Sequence, residues 1–243
     1  MGQLCLITGG SQGLGAALAK NYRDKGWHVF SLARTAAPEA ESEHIPCNLS
    51  RQARIHTELA PFFEGWSGEP WQNIHLIHNA ARVGAIGPLG SNAESTPEDW
   101  QQTLDLNFGA VVQLNGLFRQ YFQEHPAKKI VAHISSGAAH KAYAGWSLYC
   151  ATKAAMERFA LCLAEEQTHE KRPIWTVIIN PGVMDTGMQA HIRAASPDGF
   201  PQRERFIQLK AHNALPQPEA VAAQCFAYLN AAPRSGETFK VTF

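Results

Sequence analysis

Cysteine is scarce in this chain, and none of it stands in a spacing that suggests a shared role. The 243 residues contain five cysteines, Cys5, Cys47, Cys150, Cys162 and Cys225, with no C-x-x-C pair among them. An odd and scattered set argues against a disulfide framework and against a zinc site. The sequence therefore predicts reduced thiols, no bound metal and a cytoplasmic location.

Net charge and long apolar runs are also absent. Lys and Arg together number 21, Asp and Glu together number 21, and no basic stripe stands out. Nothing therefore predicts nucleic acid or an anionic membrane surface as a partner. No apolar run approaches the length that a membrane-spanning helix needs, so we expect no membrane association. A chain of this size can build one sizeable core, and we expect a single domain over residues 1–243.

Short apolar segments alternate with helical patterns along the whole chain, without a linker or a repeat. This order is typical of an α/β fold, and it predicts a Rossmann-type doubly wound parallel sheet with helices on both faces. Seven strands are expected near residues 3–8, 27–32, 43–47, 74–78, 128–135, 174–180 and 237–241. Helices are expected near residues 13–25, 50–64, 97–123, 147–170 and 217–230, with Ser50 as the N-cap of the second.

A glycine-rich segment joins the first predicted strand to the first predicted helix, at residues 8–15. Gly9 permits a tight turn, Gly13 permits close approach of the backbone to a pyrophosphate, and Gly15 permits close packing of helix on strand. The exposed N–H groups and the positive end of the helix would face the phosphates. Because no Gly-Lys-Ser/Thr follows, the segment is not a P-loop.

No acidic residue follows the second predicted strand. A site selective for NAD usually places Asp or Glu about 20 residues beyond the glycines, and no acid lies between Trp27 and Pro38. Arg34 instead offers a planar, permanently charged group suited to a 2′-phosphate, although it also fits an ordinary surface arginine. This pattern favours NADP(H) as the cofactor.

Tyr149 and Lys153 stand four residues apart on a predicted helix, so their side chains share one face. A lysine cation close to a tyrosine favours the phenolate and is expected to lower the pKa of the phenol from ~10. Ser136 ends a predicted strand, where its hydroxyl could hold a carbonyl oxygen. The Y-x-x-x-K spacing alone is common on exposed helices, but the glycine-rich segment and Arg34 strengthen its interpretation as a proton-transfer site.

Together with residues 78–81 and 181–186, these motifs resemble the short-chain dehydrogenase/reductase family in its single-domain branch. The resemblance covers essentially the whole chain. Within the family, residues 135–153, 180–193 and 205–210 are similar to bacterial benzil reductases, which are relatives of sepiapterin reductase.

The resemblance implies catalytic roles for four residues. Tyr149 would be the general acid that protonates the substrate oxygen as hydride arrives from the nicotinamide. Lys153 would lower the pKa of Tyr149 and bind the nicotinamide ribose. Ser136 would hydrogen-bond the carbonyl, and Asn107 would hold a water that links Lys153 to solvent. The implied cofactor-binding set is Gly9, Ser11, Gly13, Leu14, Gly15, Arg34, Thr35, Asn48, Leu49, Asn79, Ala80, Tyr149, Lys153, Met184 and Thr186.

Three positions depart from the family pattern. Ala81 adds a methyl group where the family commonly has glycine beside the cofactor. Asn48 stands where an Asp often binds the adenine amino group, although an amide oxygen can still accept that hydrogen bond. Lys240 stands where sepiapterin reductases carry an Asp that binds the pterin. Because lysine cannot accept a hydrogen bond, it argues against a pterin substrate.

Residues 183–215 contain no predicted strand, and they lie where the family carries its substrate-covering helices. Apolar side chains of this lid, with Trp146 and Val83, would suit a hydrophobic or aromatic carbonyl substrate, or they would simply pack the lid against the body. His140 either lines the cleft or lies at the surface. The apolar residues of the lid are Met184, Met188, Ile192, Phe200 and Phe206.

The sequence therefore predicts an NADPH-dependent carbonyl reductase that acts on an apolar or aromatic α-diketone such as benzil and gives an α-hydroxy ketone. One alternative is a reductase of 3-oxoacyl or other metabolic ketones. Another is a non-catalytic NADP(H) sensor, which would be free to lose Tyr149 or Lys153. In the family, helices equivalent to residues 97–123 and 147–170 pair across a dimer axis, so we expect a homodimer or homotetramer.

Overall fold

The computed structural model describes residues 2–36 and 43–243, whose strands form one parallel sheet in the order β3-β2-β1-β4-β5-β6-β7. Each predicted strand is confirmed to within one residue at either end. The strands are β1 (Gln3–Thr8), β2 (His28–Ala33), β3 (Glu43–Pro46), β4 (Asn73–His78), β5 (Lys128–Ile134), β6 (Ile174–Asn180) and β7 (Thr238–Lys240).

Helices cover both faces of the sheet, as the sequence predicts for a single doubly wound domain. They are α1 (Gly13–Asp24), α2 (Gln52–Ser67), α3 (Pro97–Leu104), α4 (Ala110–Phe122), α5 (Ser147–Glu166), α6 (Gly187–Ala194), α7 (Arg203–Ala211) and α8 (Pro218–Asn230). The helices α6 and α7 lie within the segment that the sequence identifies as a lid.

The first strand shows why both faces must be covered. Cys5 and Ile7 pack into a hydrophobic cluster with α1 and α8, whereas Leu4 and Leu6 pack into a second cluster with α2 and α4. All four side chains are fully buried. A strand buried on both faces must be apolar at consecutive positions, which gives the continuous apolar run seen in the sequence.

The helix predicted over residues 97–123 is interrupted by a π-helical segment at Asp105–Gly109. At its end the Ala110 N–H donates to the carbonyl of Asp105, five residues back along the chain, which is one residue further than in an α-helix. Such segments often occur at functional sites, and this one carries Asn107, whose side chain is buried. The sequence did not reveal the interruption, because one extra residue in a turn barely changes the hydrophobic period.

Ser50 does not cap α2, so that prediction is wrong. The helix begins at Gln52, and the preceding Arg51 makes no capping hydrogen bond with its side chain. The Ser50 N–H is bound instead by the side-chain oxygen of Asn48, at 3.1 Å. This is a local turn that asparagine favours, and it holds Asn48 just beyond the carboxyl end of β3.

The strand order reverses at β1, which pairs with β2 on one side and with β4 on the other. At such a reversal the loops that follow β1 and β4 diverge towards opposite faces of the sheet. A crevice then opens at the carboxyl ends of the strands, where open α/β sheets bind their ligands. The predicted site segments follow β1, β4 and β5 at this edge.

Candidate active site

The turn between β1 and α1 has backbone conformations that favour glycine. Gly9 has φ +68° and Gly13 has φ +54°, values that glycine adopts without strain. A Cβ atom on Gly13 would lie 3.3 Å from Thr186 Cγ2, and one on Gly15 would lie 2.5 Å from the Asn79 side-chain nitrogen. The turn and the close packing therefore agree with the geometry that the sequence predicts.

Thr8 and Asn79 fasten this turn to the loop after β4. The Thr8 hydroxyl accepts hydrogen bonds from the backbone N–H groups of Asn79 (2.9 Å) and Ala80 (3.0 Å). In return, the Asn79 side chain donates to the carbonyls of Thr8 and Gly9, each at 3.1 Å. The two loops that border the crevice are thus held together, with Asn79 and Ala80 at its edge.

The residues present fit a dinucleotide. The glycine turn leaves a cradle that a Cβ atom would fill, and it leads directly into the N-terminus of α1, where free N–H groups suit phosphates. Ser11 is half-buried in the turn. Leu14 and Met184 pack in one hydrophobic cluster behind it, and Thr186 begins α6 against Gly13.

The far end of this crevice lies beyond β2 and β3. Arg34 and Thr35 follow β2 and are exposed. Asn48 is half-buried and Leu49 is buried just after β3. One lone pair of the Asn48 amide oxygen is used by Ser50, and the other can still accept the hydrogen bond predicted from adenine.

Three predicted catalytic residues meet at the carboxyl edge of the sheet. Tyr149 and Lys153 lie one turn apart on α5, and both are buried. The hydroxyl of Ser136, just beyond β5, hydrogen-bonds the Tyr149 phenol. Lys153 Nζ donates to the Ile134 carbonyl at 2.7 Å and lies 6.0 Å from the centroid of the Tyr149 ring.

The electrostatics of the pair differ from the sequence-based expectation. Burial raises the pKa of Tyr149 to about 12, while the hydrogen bond from Ser136 opposes the rise and Cys150 adds to it. The lowering expected from Lys153 is not found in this structure. Burial also lowers the pKa of Lys153 to about 8, against the opposing effect of the Glu157 carboxylate. Removal from water thus outweighs the attraction between the two side chains.

Asn107 reaches the site from the π segment through its side chain. Its amide oxygen accepts from the Arg82 N–H at 2.9 Å, and its amide nitrogen donates to the Arg82 carbonyl at 2.8 Å. The same nitrogen lies 3.2 Å from the Thr152 hydroxyl on α5. Asn107 therefore ties the loop after β4 to the helix of Tyr149 and Lys153. Its role in holding a water stays a prediction.

Aromatic side chains of the lid pack on Trp146, whose ring lies beside that of Tyr149. The ring of Trp146 stacks on Phe200 with centroids 4.5 Å apart, and it lies 5.5 Å from Phe206 and 5.7 Å from Tyr149. Phe200 and Phe206 are buried. The sequence left two possibilities for these side chains, contact with an apolar substrate or packing of the lid against the body. The structure shows the packing. Ile192 and Val83 belong to the same cluster, and Met188 is half-buried at its margin.

A small cleft opens beside Tyr149. Its wall combines the apolar and aromatic side chains of Val83, Leu89, Trp100 and Trp146 with the polar side chains of Ser95, Asp99 and Ser147. A wall of this kind suits an apolar group attached to a polar reacting centre.

Sequence reasoning missed Glu157, which is buried one turn beyond Lys153 on α5. Its carboxylate accepts a hydrogen bond from the Ser135 hydroxyl and lies 2.9 Å from His140 Nε2. The regular four-residue spacing of Tyr149, Lys153 and Glu157 is the sequence signal that would have found it. His140 itself lies at the surface, with 63% of its side chain exposed.

Metal-binding groups and membrane-spanning helices are both absent from residues 2–36 and 43–243. No group of three or more His, Cys, Asp or Glu side chains there is arranged to hold a metal ion. No helix in the same ranges has the length and apolar character to cross a membrane.

Known proteins resemble this chain over most of its length. A family model described as short chain dehydrogenase matches residues 3–197. The benzil reductase ((S)-benzoin forming) of Bacillus subtilis (strain 168) is 32% identical over 241 residues, or 98% of either chain. The protein of the same name from Bacillus cereus is 34% identical over 226 residues, or 89% of this chain and 90% of that one. The crystal structure of a short-chain dehydrogenase/reductase from Saccharomyces cerevisiae superposes with a TM-score of 0.80 at 23% identity, over 98% of this chain and 96% of that one.

Proposed function

The chain belongs to the short-chain dehydrogenase/reductase family, a family of oxidoreductases that use NAD(P)(H), and from this premise we propose that it is an NADPH-dependent carbonyl reductase. The proposed substrate is an apolar or aromatic α-diketone such as benzil, which is reduced to an α-hydroxy ketone. One observation carries the proposal: Tyr149, Ser136 and Lys153 meet at the carboxyl edge of the sheet, where the side chains of Tyr149 and Lys153 are buried.

The bound nicotinamide supplies the hydride in this chemistry. Tyr149 supplies the proton. With a pKa of about 12, its phenol stays protonated at neutral pH and can donate to an oxygen on which negative charge develops. Ser136 hydrogen-bonds the phenol and lies where a second hydroxyl can hold the same oxygen. Fixed donors of this kind act most strongly where water is excluded, as it is around Tyr149.

Lys153 places a positive charge behind Tyr149. Its hydrogen bond to the Ile134 carbonyl leaves two further N–H donors, which would bind the hydroxyls of the nicotinamide ribose. The pKa of about 8 makes the ammonium form dominant below that pH and the neutral amine dominant above it. The proposed reaction therefore loses electrostatic support as the pH rises through 8.

The preference for NADPH over NADH rests on Arg34. Its guanidinium is exposed just beyond β2, at the edge of the crevice, where it can bind a 2′-phosphate through two hydrogen bonds. Residues 28–36 contain no carboxylate that would repel the phosphate or select a free 2′-hydroxyl. Thr35, also exposed, offers a further hydroxyl.

The choice of an apolar diketone rests on two observations. The Bacillus relatives are named for the reduction of benzil, and the wall of the cleft beside Tyr149 includes the aromatic side chains of Trp100 and Trp146. We assign residues 183–215, with α6 and α7, as the cover of the proposed active site, because Phe200 and Phe206 of this segment pack on Trp146. Lys240 is exposed on β7 and offers no acceptor to a pterin.

A carbonyl panel tests the proposal. Oxidation of NADPH is followed through the nicotinamide absorbance with benzil, other vicinal diketones, sepiapterin and a 3-oxoacyl thioester, and NADH is run in parallel. We expect NADPH-dependent reduction of benzil and related diketones. Preference for the thioester would move the function to metabolic ketones. Tight NADPH binding without any turnover would instead favour the sensor.

A further inference from the structure

Glu157 is a buried carboxylate for which the proposed reaction has so far given no role. It follows Tyr149 and Lys153 at four-residue intervals, so the three side chains lie along one face of α5. Only 8% of the residue is exposed. An ionised carboxylate is costly to bury unless hydrogen bonds and opposite charge compensate it, so its partners indicate what the group is for.

Both oxygens of Glu157 bind the segment that carries Ser136. One accepts a hydrogen bond from the Ser135 hydroxyl, and the other lies 2.9 Å from His140 Nε2. Ser135 stands directly before Ser136, and His140 stands four residues after it. A single carboxylate therefore anchors the segment on either side of the hydroxyl that faces Tyr149.

Glu157 also faces Lys153 one turn away, where its charge raises the pKa of the ammonium against the effect of burial. Two buried histidines approach Lys153 from the sheet, His78 on β4 and His133 on β5. Burial, and then nearby positive charge, lowers the pKa of both imidazoles, that of His133 to about 3. Both are therefore neutral at neutral pH and contribute no charge to Lys153.

We propose that Glu157 is a positioning residue for the reduction, an inference that rests on the proposed function. It holds Ser136 in place through Ser135 and His140, and it keeps Lys153 in the ammonium form that the reaction needs. The position of Ser136 and the charge of Lys153 therefore both depend on the side chain of Glu157.

Glu157→Gln separates charge from shape, because glutamine keeps the size and can still accept from Ser135. Kinetics with NADPH and a diketone should show kcat lowered on the order of ten-fold near pH 8, with the alkaline fall in kcat moved down by roughly one pH unit. The KM for NADPH should change little. The matched control is Glu165→Gln, which removes the same charge from an exposed position about 12 Å further along α5.

A titration of Lys153 that needs no turnover keeps the inference separate from the proposed function. Lysine side chains carrying a ¹³C label are followed by NMR, and the Lys153 signal is assigned by its loss in Lys153→Met. The wild-type signal should titrate at about pH 8 and the Glu157→Gln signal at lower pH. Glu157→Asp, which keeps the charge, should titrate close to the wild type.

Equal midpoints in the wild type and Glu157→Gln would overturn the inference, and so would a midpoint in Glu157→Asp as low as that of the neutral variant. If Glu157→Gln does not fold, the comparison of wild type with Glu157→Asp still decides the matter. If the wild type reduces no carbonyl compound, the proposed function fails, whereas the titration still reports whether Glu157 sets the charge of Lys153.

Discussion

Burial and a neighbouring cation act in opposite directions on the Tyr149 phenol. Burial disfavours the phenolate, and in this structure it raises the pKa to about 12. The opposing effect of the cation is reduced, because burial also lowers the pKa of Lys153 to about 8 and so disfavours its ammonium form. The result favours Tyr149 as a donor of protons over a role as a base, which agrees with carbonyl reduction as the proposed direction.

Replacing Tyr149 by phenylalanine removes this donor and leaves the ring packing intact. Loss of a general acid lowers turnover by roughly 10²–10⁴-fold, so we expect Tyr149→Phe to reduce kcat by that factor. NADPH affinity, measured by fluorescence titration, should stay nearly unchanged. Tyr121→Phe, near the far end of α4, is the matched control and should keep wild-type turnover. Substantial residual activity in Tyr149→Phe would remove this phenol from the mechanism.

Arg34 is proposed to distinguish NADPH from NADH through the 2′-phosphate that only NADPH carries. Because NADH lacks the 2′-phosphate, Arg34→Ala should raise the KM for NADPH by at least about ten-fold, the loss expected for one charge-assisted hydrogen bond to a charged group. The KM for NADH in the same variant should hardly change. Steady-state kinetics with both cofactors make this comparison within a single protein. Equal effects on the two would refute the assignment of the phosphate site.

At the scale of elements, helix α1 can approach β1 only because Gly15 lacks a side chain. A Cβ atom there would lie against the Gly9 carbonyl and 2.5 Å from the Asn79 amide nitrogen. Both groups belong to the hydrogen-bonded junction between β1 and β4, so neither can shift without loosening it. The glycine therefore sets the distance between helix and sheet at the proposed phosphate site.

Gly15→Ala and Gly116→Ala are the same substitution in two helices with opposite expected effects. At Gly15 the added methyl group overpacks the junction, which should cost about 1–3 kcal/mol of stability and weaken NADPH binding. At Gly116, in α4, an added Cβ atom meets nothing within 4 Å, so alanine should stabilise the helix by about 0.5–1 kcal/mol. Urea unfolding of both variants measures the difference. A stabilised Gly15→Ala would contradict the close packing.

The elements were predicted well where the signal is local. Apolar runs such as residues 3–8 and 174–180 define their strands, and the sharp glycine turn at residues 9–15 marks the first crossover. The π segment at Asp105–Gly109 was missed, because one extra residue in a turn barely changes the hydrophobic period. Its Asn107 binds Arg82, a residue 25 positions away, which no local pattern shows. The Ser50 cap was wrong because α2 begins at Gln52, after a turn in which the side chain of Asn48 binds the N–H of Ser50.

At the scale of the whole molecule, buried histidines link stability to pH. Burial lowers the pKa of His75 and His133 to about 3, with smaller lowering effects from Lys128 and Lys153 respectively. An unfolded histidine titrates near ~6.5. Between these values the unfolded chain binds more protons than the folded one. The stability is thus fully present above pH ~6.5 and is lost as the pH falls.

Each of these histidines should therefore reduce the free energy of unfolding by about 2 kcal/mol between pH 7 and pH 5. Urea unfolding at the two pH values measures the total. In His133→Leu the difference between the two pH values should shrink by about 2 kcal/mol, since one buried imidazole is gone. His133 suits this test because neither of its ring nitrogens has a hydrogen-bond partner among the described residues. An unchanged difference would show that His133 is protonated in the folded state.

The outer surface of α3, α4 and α5 carries apolar side chains that a second copy could cover. Leu104, Val112 and Leu161 are exposed by 41%, 38% and 36%. We propose that this surface joins protomers in a homodimer or homotetramer, and a two-fold contact would place each side chain in the interface twice. Val112→Glu should then lower the mass measured by sedimentation. A monomeric wild type would contradict the proposal.

The resemblance to the family, and no local pattern, predicted that Ser136, Tyr149 and Lys153 share one site. The sequence by itself determined the order of strands and helices and the glycine turn. These features depend on local periods and backbone conformations, which neighbouring residues set. Only the tertiary structure decided that burial raises the pKa of the Tyr149 phenol, that Glu157 faces Lys153 and anchors the Ser136 segment, and that Phe200 and Phe206 of the lid pack on Trp146. Burial and contacts between distant residues control these properties, because the cost of removing a charge from water depends on everything that surrounds it.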